Sequence, residues 1–322
     1  MARRRILVCG ATGFIGRNLA IALSGRSDLE VHAVRHTRPA YDLPGVTWHR
    51  ADLRNAAAVE ALVSGMDVVV QAAATTSGAG DIVAQPHIHV TDNAVMNALL
   101  LRACHDRGVG HFVFFSCSVM YPSGDASVAE DDWHPGIEMH PRYFGAGWTK
   151  VYVEQMCAFY ARLGVTRHTV IRHSNVYGPH DKFDLARSHV FGATVTKVMT
   201  ATDGRLTVWG DGREARDLMH VDDLVDFVQR AIDVRTDPFG LYNVGSGEAV
   251  PVGDLVRRIV AASGRPLEVV HDLSRPTIPT TVRLDCNRAE RTFGWRPSVS
   301  LDDGIRQTLD WWRKARASGA LA

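Results

Sequence analysis

Several features are scarce in this chain of 322 residues. No apolar run approaches the roughly 20 residues that cross a bilayer. The opening "MARRRILVCG" is basic and then apolar, but its apolar part is too short for a signal peptide and reads as a first β-strand. An excess of charge is also missing. Thirty-six basic and 35 acidic residues leave a net charge of +1, which provides no electrostatic footprint for nucleic acid or a membrane surface. The five cysteines (Cys9, Cys104, Cys117, Cys157, Cys286) are odd in number and contain no CxxC pair. They fit reduced thiols in the cytoplasm better than a disulfide framework or a zinc site. Repeats, low-complexity segments and Pro/Ser linkers are absent, so the parts of the chain are expected to pack together around a cleft. The most telling absence is local. The stretch "YFGAGWTK", Tyr143 to Lys150, has the look of a catalytic helix. Yet the residue four before Lys150, where a tyrosine would share one helix face with the lysine, is Ala146.

Hydrophobic residues make up 46% of the chain and charged residues 22%, which is the composition of a globular protein able to bury a substantial core. In the first half, the strand-like runs "RILVCG", "LEVHAV", "MDVVVQAAA" and "HFVFFSCS" are spaced with room for helices between them. "RNLAIALSG" reads as a helix closed by Gly25, and "VMNALLLRACHDRG" as one stopped by Gly108. This alternation predicts an α/β fold with a doubly wound parallel sheet. After about residue 174 the pattern loosens. A smaller mixed α/β region is expected over 175–322, beside a cofactor domain over 1–174 with a returning segment near 217–245. "DGIRQTLDWWRKARASG" closes the chain as an amphipathic helix, its "WWRK" reading as a packing or dimer feature.

"GATGFIG" sets Gly10, Gly13 and Gly16 between a strand and a helix, with Thr12, Phe14 and Ile15 among them. Glycine permits the tight turn and lets backbone approach a pyrophosphate, which the helix N-terminus attracts. The second strand ends in "VRHTRP", where Arg35, His36 and Arg38 stand in place of a ribose-binding acid. A guanidinium matches a 2′-phosphate, so NADP is expected ahead of NAD. Asp52 and Leu53 in "ADL" are placed for the adenine, and Ala72, Ala73 and Ala74 let backbone lie against a cofactor. His87 and His89 in "PHIHV" lack a third ligand, read as solvent-facing, and no metal is expected.

GxxGxxG, "AAA", the "YP" of "SCSVMYP", the lysine helix, "NVYGP" and "HVDDL" occur in order across nearly the whole chain. In this the chain resembles the extended short-chain dehydrogenase/reductases, the NAD-dependent epimerase/dehydratase family. "NVYGPHDKFDLARSHV" followed by "VWGDGREARDLMHVDDL" is similar to the GDP-sugar epimerase/reductases of the GDP-L-fucose synthase type. The resemblance implies a Rossmann domain, a C-terminal substrate domain, a nucleotide-activated sugar as substrate and a homodimer joined by a four-helix bundle. It further implies that Lys150 meets the cofactor ribose and that His189 is a general acid/base. Asn175, Trp209, Arg216 and Arg275 would lie near sugar and diphosphate.

Three positions depart from the family pattern: Cys117 replaces a serine or threonine, Val119 an acid/base cysteine and Ala146 the tyrosine. Three readings stay open. Tyr143, seven residues before Lys150 and two turns away on one helix face, replaces the lost phenol, with Gly145 and Gly147 letting the backbone bend. Alternatively Cys117, its neighbour Ser118, His189 or water moves the proton, the thiol ionising near neutral pH beside cationic groups. In the third reading the chain binds a nucleotide sugar or NADP(H) without chemistry. The expected activity is epimerisation, with ketone reduction as a possible second step; dehydration is the alternative chemistry.

Overall fold

The computed structural model describes residues 3–75, 85–185, 188–275 and 277–321. In chain order its elements are β1 (Arg4–Cys9), α1 (Phe14–Ser24), β2 (Leu29–Arg35), β3 (Thr47–Arg50), α2 (Ala56–Val63), β4 (Val68–Gln71), α3 (Thr91–Asp106) and β5 (His111–Phe115). They continue with β6 (Ser127–Val128), α4 (Phe144–Arg162), β7 (Arg167–His173), β8 (Asn175–Tyr177), α5 (Val190–Thr200), β9 (Arg205–Trp209) and β10 (Ala215–His220). The last are α6 (Val221–Asp233), β11 (Phe239–Val244), β12 (Ala249–Pro251), α7 (Val252–Ser263), β13 (Glu268–Asp272), β14 (Arg283–Leu284), α8 (Asn287–Phe293) and α9 (Leu301–Ala317).

Among the described residues, seven strands form one sheet in the order β11-β7-β5-β4-β1-β2-β3, every pair parallel. Such a sheet must be covered on both faces, which is why its central strands β1, β4 and β5 are largely continuous apolar runs. In β1 the side chains alternate between two cores. Ile6 and Val8 join Leu19 and Leu23 of α1 and Phe227 and Val228 of α6. Leu7 and Cys9 join Val59 of α2, Leu100 and Cys104 of α3, and Val153 and Cys157 of α4. The doubly wound parallel sheet expected from the sequence is therefore present. A third core lies beyond it, where Phe191 and Val195 of α5, Leu218 of β10, Leu255 and Ile259 of α7, and Leu309 and Trp312 of α9 meet. The tryptophan pair of the last helix packs within the chain, Trp312 in this core and Trp311 against the rings of His180 and Phe183.

One buried polar cluster joins the layers. Arg172 of β7 and Glu154 of α4 form an ion pair at 2.7 Å with side chains only 3% and 1% exposed. Arg172 Nε donates to Glu154 Oε1 at 3.0 Å, and Ser116 Oγ donates to the same oxygen at 2.5 Å. Arg172 Nη1 donates to the Tyr121 hydroxyl and the Glu130 carbonyl, and Tyr121 donates to Asn243 of β11. Removing one partner of a buried pair strands the other charge and typically costs about 3–5 kcal/mol. Glu154→Ala is expected to lower stability by about that amount, read as a shift in the denaturation midpoint. An unchanged midpoint would show that the pair does not anchor α4.

Candidate functional site

The glycine turn lies at the carboxyl end of β1, the edge where open parallel sheets bind ligands. Gly10 has φ +72° and lies so close to the next loop that a Cβ there would come within 2.6 Å of Ala73 Cα. A Cβ at Gly16 would collide with the Gly10 carbonyl oxygen. Gly13 caps α1 in an extended conformation and brings no side chain to the helix's first N–H groups. These donors and the helix dipole form a cradle for a phosphate, and the geometry fits a dinucleotide pyrophosphate. Two clefts flank the turn. One, of about 320 Å³, is lined by Gly10, Arg35, His36, Asp52, Leu53, Arg54, Ala73 and Ala74, among others. The other, of about 450 Å³, includes Thr12, Gly13, Arg17, Arg38 and Lys314.

The structure thus brings the sequence-predicted cofactor residues together around these clefts. Phe14 and Ile15 open α1, Ala72 follows β4, and Arg38 Nη1 reaches the Thr12 carbonyl at 3.3 Å. Asp52 is held by Arg54, whose Nη2 lies 2.8 Å from Oδ2, and this contact lowers the carboxyl's pKa to about 2. Arg17 was missed by the sequence reading. It lies over the Tyr41 ring at 4.1 Å and shares the larger cleft with Arg38. Its position immediately after Gly16, on the first turn of the helix, was the available signal.

Further along the same sheet edge stands a second group of residues. Lys150 Nζ donates to the Phe115 carbonyl at 2.7 Å and lies 4.8 Å from the centre of the Phe114 ring. Burial lowers its pKa, while Cys117 and Glu154 act in the opposite direction. Cys117 and Ser118 are half-buried in the loop after β5. His189 caps α5 by position, but its ring makes no capping bond. The residue as a whole is exposed. Desolvation of the ring, then the charges of Lys182 and His89, lower its pKa to about 4, so it is neutral at pH 7.

Four expectations need correction. Tyr143 is not on the lysine helix. It ends a 3-10 turn, Pro141–Tyr143, and α4 starts after it at Phe144. Gly145 and Gly147 do not bend that helix, which runs unbroken over 19 residues. Instead they admit neighbours: Val90 leans on Gly145, and Met139 occupies the space where a Gly147 Cβ would sit. Cys117 is not poised to ionise. Burial raises its pKa, outweighing the nearby Lys150, so it remains a thiol that can donate a proton but not accept one. His89 is not solvent-facing. The 3-10 turn Pro86–His89 exposes His87 and turns His89 inward, 7% exposed.

Tyr143 packs with Cys117 in a small core that includes Met120, Trp133 and Met139. Burial raises its phenol pKa, against the pull of Arg216. Asn175 Nδ2 donates to the Asp217 carbonyl at 3.3 Å. Arg216 turns its terminal nitrogens to the carbonyls of Ala215, Ile278 and Thr280, so its fork is engaged by the chain itself. Trp209 is 45% exposed, with Lys197 at 5.4 Å and Arg275 at 5.5 Å from its ring. A cation–π cluster open to solvent on one side can receive a flat base or a phosphate. The sequence reading also passed over His173, which ends β7 directly before Ser174 and Asn175 and bears electrostatically on both Lys150 and His189.

A model of the NAD dependent epimerase/dehydratase family matches residues 6–245. The chain belongs to that family. It is 30% identical to a dTDP-4-dehydro-6-deoxy-D-allose reductase of Streptomyces sp over 97% of both chains. It is also 30% identical to the GDP-L-fucose synthase of Azorhizobium caulinodans over 96% of both. Among solved structures it is similar to the UDP-glucose 4-epimerase of Thermotoga maritima in complex with UDP-glucose. There the TM-score is 0.84 at 25% identity, over 97% of this chain and 99% of that one. The parallel sheet and the glycine turn expected from the sequence are the family's nucleotide-binding frame.

The cradle yields a direct test. Gly13→Asp is expected to leave the fold intact and abolish NAD(P) binding, because its carboxylate would enter the anion space. Fluorescence titration reads the loss; an unchanged titration in the folded variant rejects the cradle.

Proposed function

We propose that the chain is a nicotinamide-dependent enzyme acting on a nucleotide-activated sugar, with a GDP-sugar as the preferred class and epimerisation as the principal reaction. Reduction of a sugar ketone is the second step this reading allows. The observation that carries it is Lys150 beside Cys117, with His173 between the charges of Lys150 and His189, on the sheet edge that also holds the glycine cradle. A family relative 27% identical, from Oryza sativa, is a GDP-mannose 3,5-epimerase, which supports both the sugar class and the reaction.

In this reading the backbone from Gly10 to Gly16 holds the cofactor pyrophosphate, Asp52 and Leu53 border the adenine, and Lys150 meets the ribose. The bound nicotinamide supplies reversible hydride transfer. Arg35, His36 and Arg38 favour a 2′-phosphate, since the acid nearest them, Asp52, is already engaged by Arg54. Titration of NADP against NAD, in the wild type and in Arg35→Asp, decides this. A wild type that binds NAD tenfold better, about 1.4 kcal/mol, overturns it. Epimerisation removes an acidic C–H next to a carbonyl and returns the proton to the other face. Neutral His189 is suited to accept that proton, and the protonated Cys117 thiol or Tyr143 phenol to supply one. Trp209 and Arg275 are suited to the nucleotide.

Incubation with GDP-, UDP- and dTDP-sugars in D2O tests the function. The expected outcome is deuterium at a ring carbon, lowered about 10²–10⁴-fold in His189→Ala with binding retained. Loss of water from the sugar would favour dehydration instead. Binding with no exchange and no turnover would favour a silent binder, the reading that Ala146 keeps in play.

The five unpaired thiols support a reducing compartment, and no described helix is long and apolar enough to cross a membrane. The packed helices α3 and α4 carry an apolar stripe. Val95, Tyr152, Phe159 and Leu163 are 40%, 54%, 56% and 47% exposed. Such a patch supports a homodimer through these helices. Light scattering is expected to give twice the chain mass in the wild type and the chain mass in Phe159→Glu; a monomeric wild type rejects the dimer.

A further inference from the structure

Lys150 needs a partner that moves a proton, and the residue one turn before it is alanine. The candidates narrow by contact. Glu154, one turn after Lys150, is engaged by Arg172 and Ser116. Cys117 is held as a thiol by burial. Tyr143 interacts with Arg216, Cys117 and Arg142, and Lys150 is not among its electrostatic neighbours. His173 is the remaining group that feels the Lys150 charge.

Its placement follows from the sheet. In the β5–β7 ladder Phe115 is paired with Ile171. His173 ends β7 two residues beyond that pair, at the carboxyl edge. The His173 ring stands edge-on to Phe115, centroids 6.2 Å apart, and the carbonyl of that same Phe115 holds Lys150 Nζ. The backbone fixes the tautomer. His173 Nδ1 lies 2.7 Å from the Ser174 carbonyl oxygen, an acceptor only, so Nδ1 carries the hydrogen and donates it. Nε2 is left with its lone pair, and no described residue donates to it.

We propose that His173, through Nε2, is the catalytic residue that exchanges the proton accompanying hydride transfer, in place of the phenol absent at Ala146. The inference rests on the proposed function. On oxidation Nε2 takes the hydroxyl proton while the carbon's hydride passes to the oxidised nicotinamide, so that C–OH becomes C=O and the imidazole becomes imidazolium. On reduction the imidazolium returns that proton to the carbonyl oxygen as the hydride comes back. The titratable groups facing His173 are Lys150 from α4 and His189 from the start of α5. Burial and the Lys150 ammonium lower the ring's pKa to about 4, so it is a neutral acceptor at pH 7, and once protonated it is driven to give the proton up.

The test separates catalysis from packing. His173→Asn keeps an amide near Nδ1 that can donate to the Ser174 carbonyl but has nothing at Nε2. It is expected to lose about 10²–10⁴-fold in kcat with KM little changed. A purely structural histidine would be rescued by Asn, so full turnover with an unchanged pH profile overturns the proposal. A second measurement needs no substrate. In the free protein, ¹⁵N NMR of the histidines is expected to show His173 as the Nδ1–H tautomer, titrating at higher pH in Lys150→Met. The opposite tautomer, or a titration indifferent to Lys150→Met, overturns the proposal even if the Asn variant fails to fold. If the wild type turns over no nucleotide sugar, the proposed function fails, and the NMR result alone decides whether His173 and Lys150 are coupled.

Discussion

The site depends on one buried ion pair. Arg172 and Glu154 lie where water is excluded, so neither charge is tolerable without the other and a full set of hydrogen bonds. That demand fixes geometry. Glu154 sets the rotation of α4 about its axis, and Lys150, one turn earlier, is thereby directed to the sheet edge. Arg172 pins the carboxyl end of β7, and the next residue is His173. Ser116, bonded to Glu154, is followed by Cys117. Arg172, Glu154 and Ser116 therefore each adjoin, or lie one helix turn from, a residue of the candidate chemistry. The alternation of strand side chains directs the structural residue to one face and its neighbour to the other.

The same logic separates what was legible in the sequence from what was not. The parallel sheet could be read because its central strands β1, β4 and β5, buried on both faces, are largely continuous apolar runs. The glycine turn could be read because its residues are dictated by local backbone contact, Gly10 against Ala73 and Gly16 against Gly10. Helix ends at Gly25 and Gly108 were local in the same way. Tyr143 was misplaced because sequence spacing assumes one helix, whereas Pro141 opens a separate 3-10 turn that delays the start of α4. Gly145 and Gly147 suggested flexibility, but the reason for them lies in tertiary contact with Val90, far back in the chain, and with Met139, on the segment before the helix. Cys117 was judged by its cationic neighbour alone, and the larger effect of burial is a tertiary property. His173 belongs to none of the quoted motifs, and its significance arises only where β5 and β7 lie side by side.

The loss of the phenol takes on a different meaning in this frame. A tyrosine has an ordinary pKa near 10 and must be pulled down by a positive neighbour before it can accept a proton at neutral pH. Imidazole starts near 6.5, so the same lysine moves it past neutrality to the acidic side. In the free chain His173 is held at about 4 by burial first and then by Lys150 and His189. A proton-transfer group works best with its pKa near the operating pH. Under the proposed function, a dinucleotide and a nucleotide sugar would bring phosphate charge to this edge. Such charge would favour the imidazolium form and act to raise the pKa. Tyrosine and histidine would thus approach a working range from opposite directions, the first lowered by the protein and the second lowered by the protein and then raised by its ligands. A lysine helix with alanine at the phenol position is consistent with active chemistry on this physical ground, because a histidine with an open lone pair occupies the neighbouring strand end.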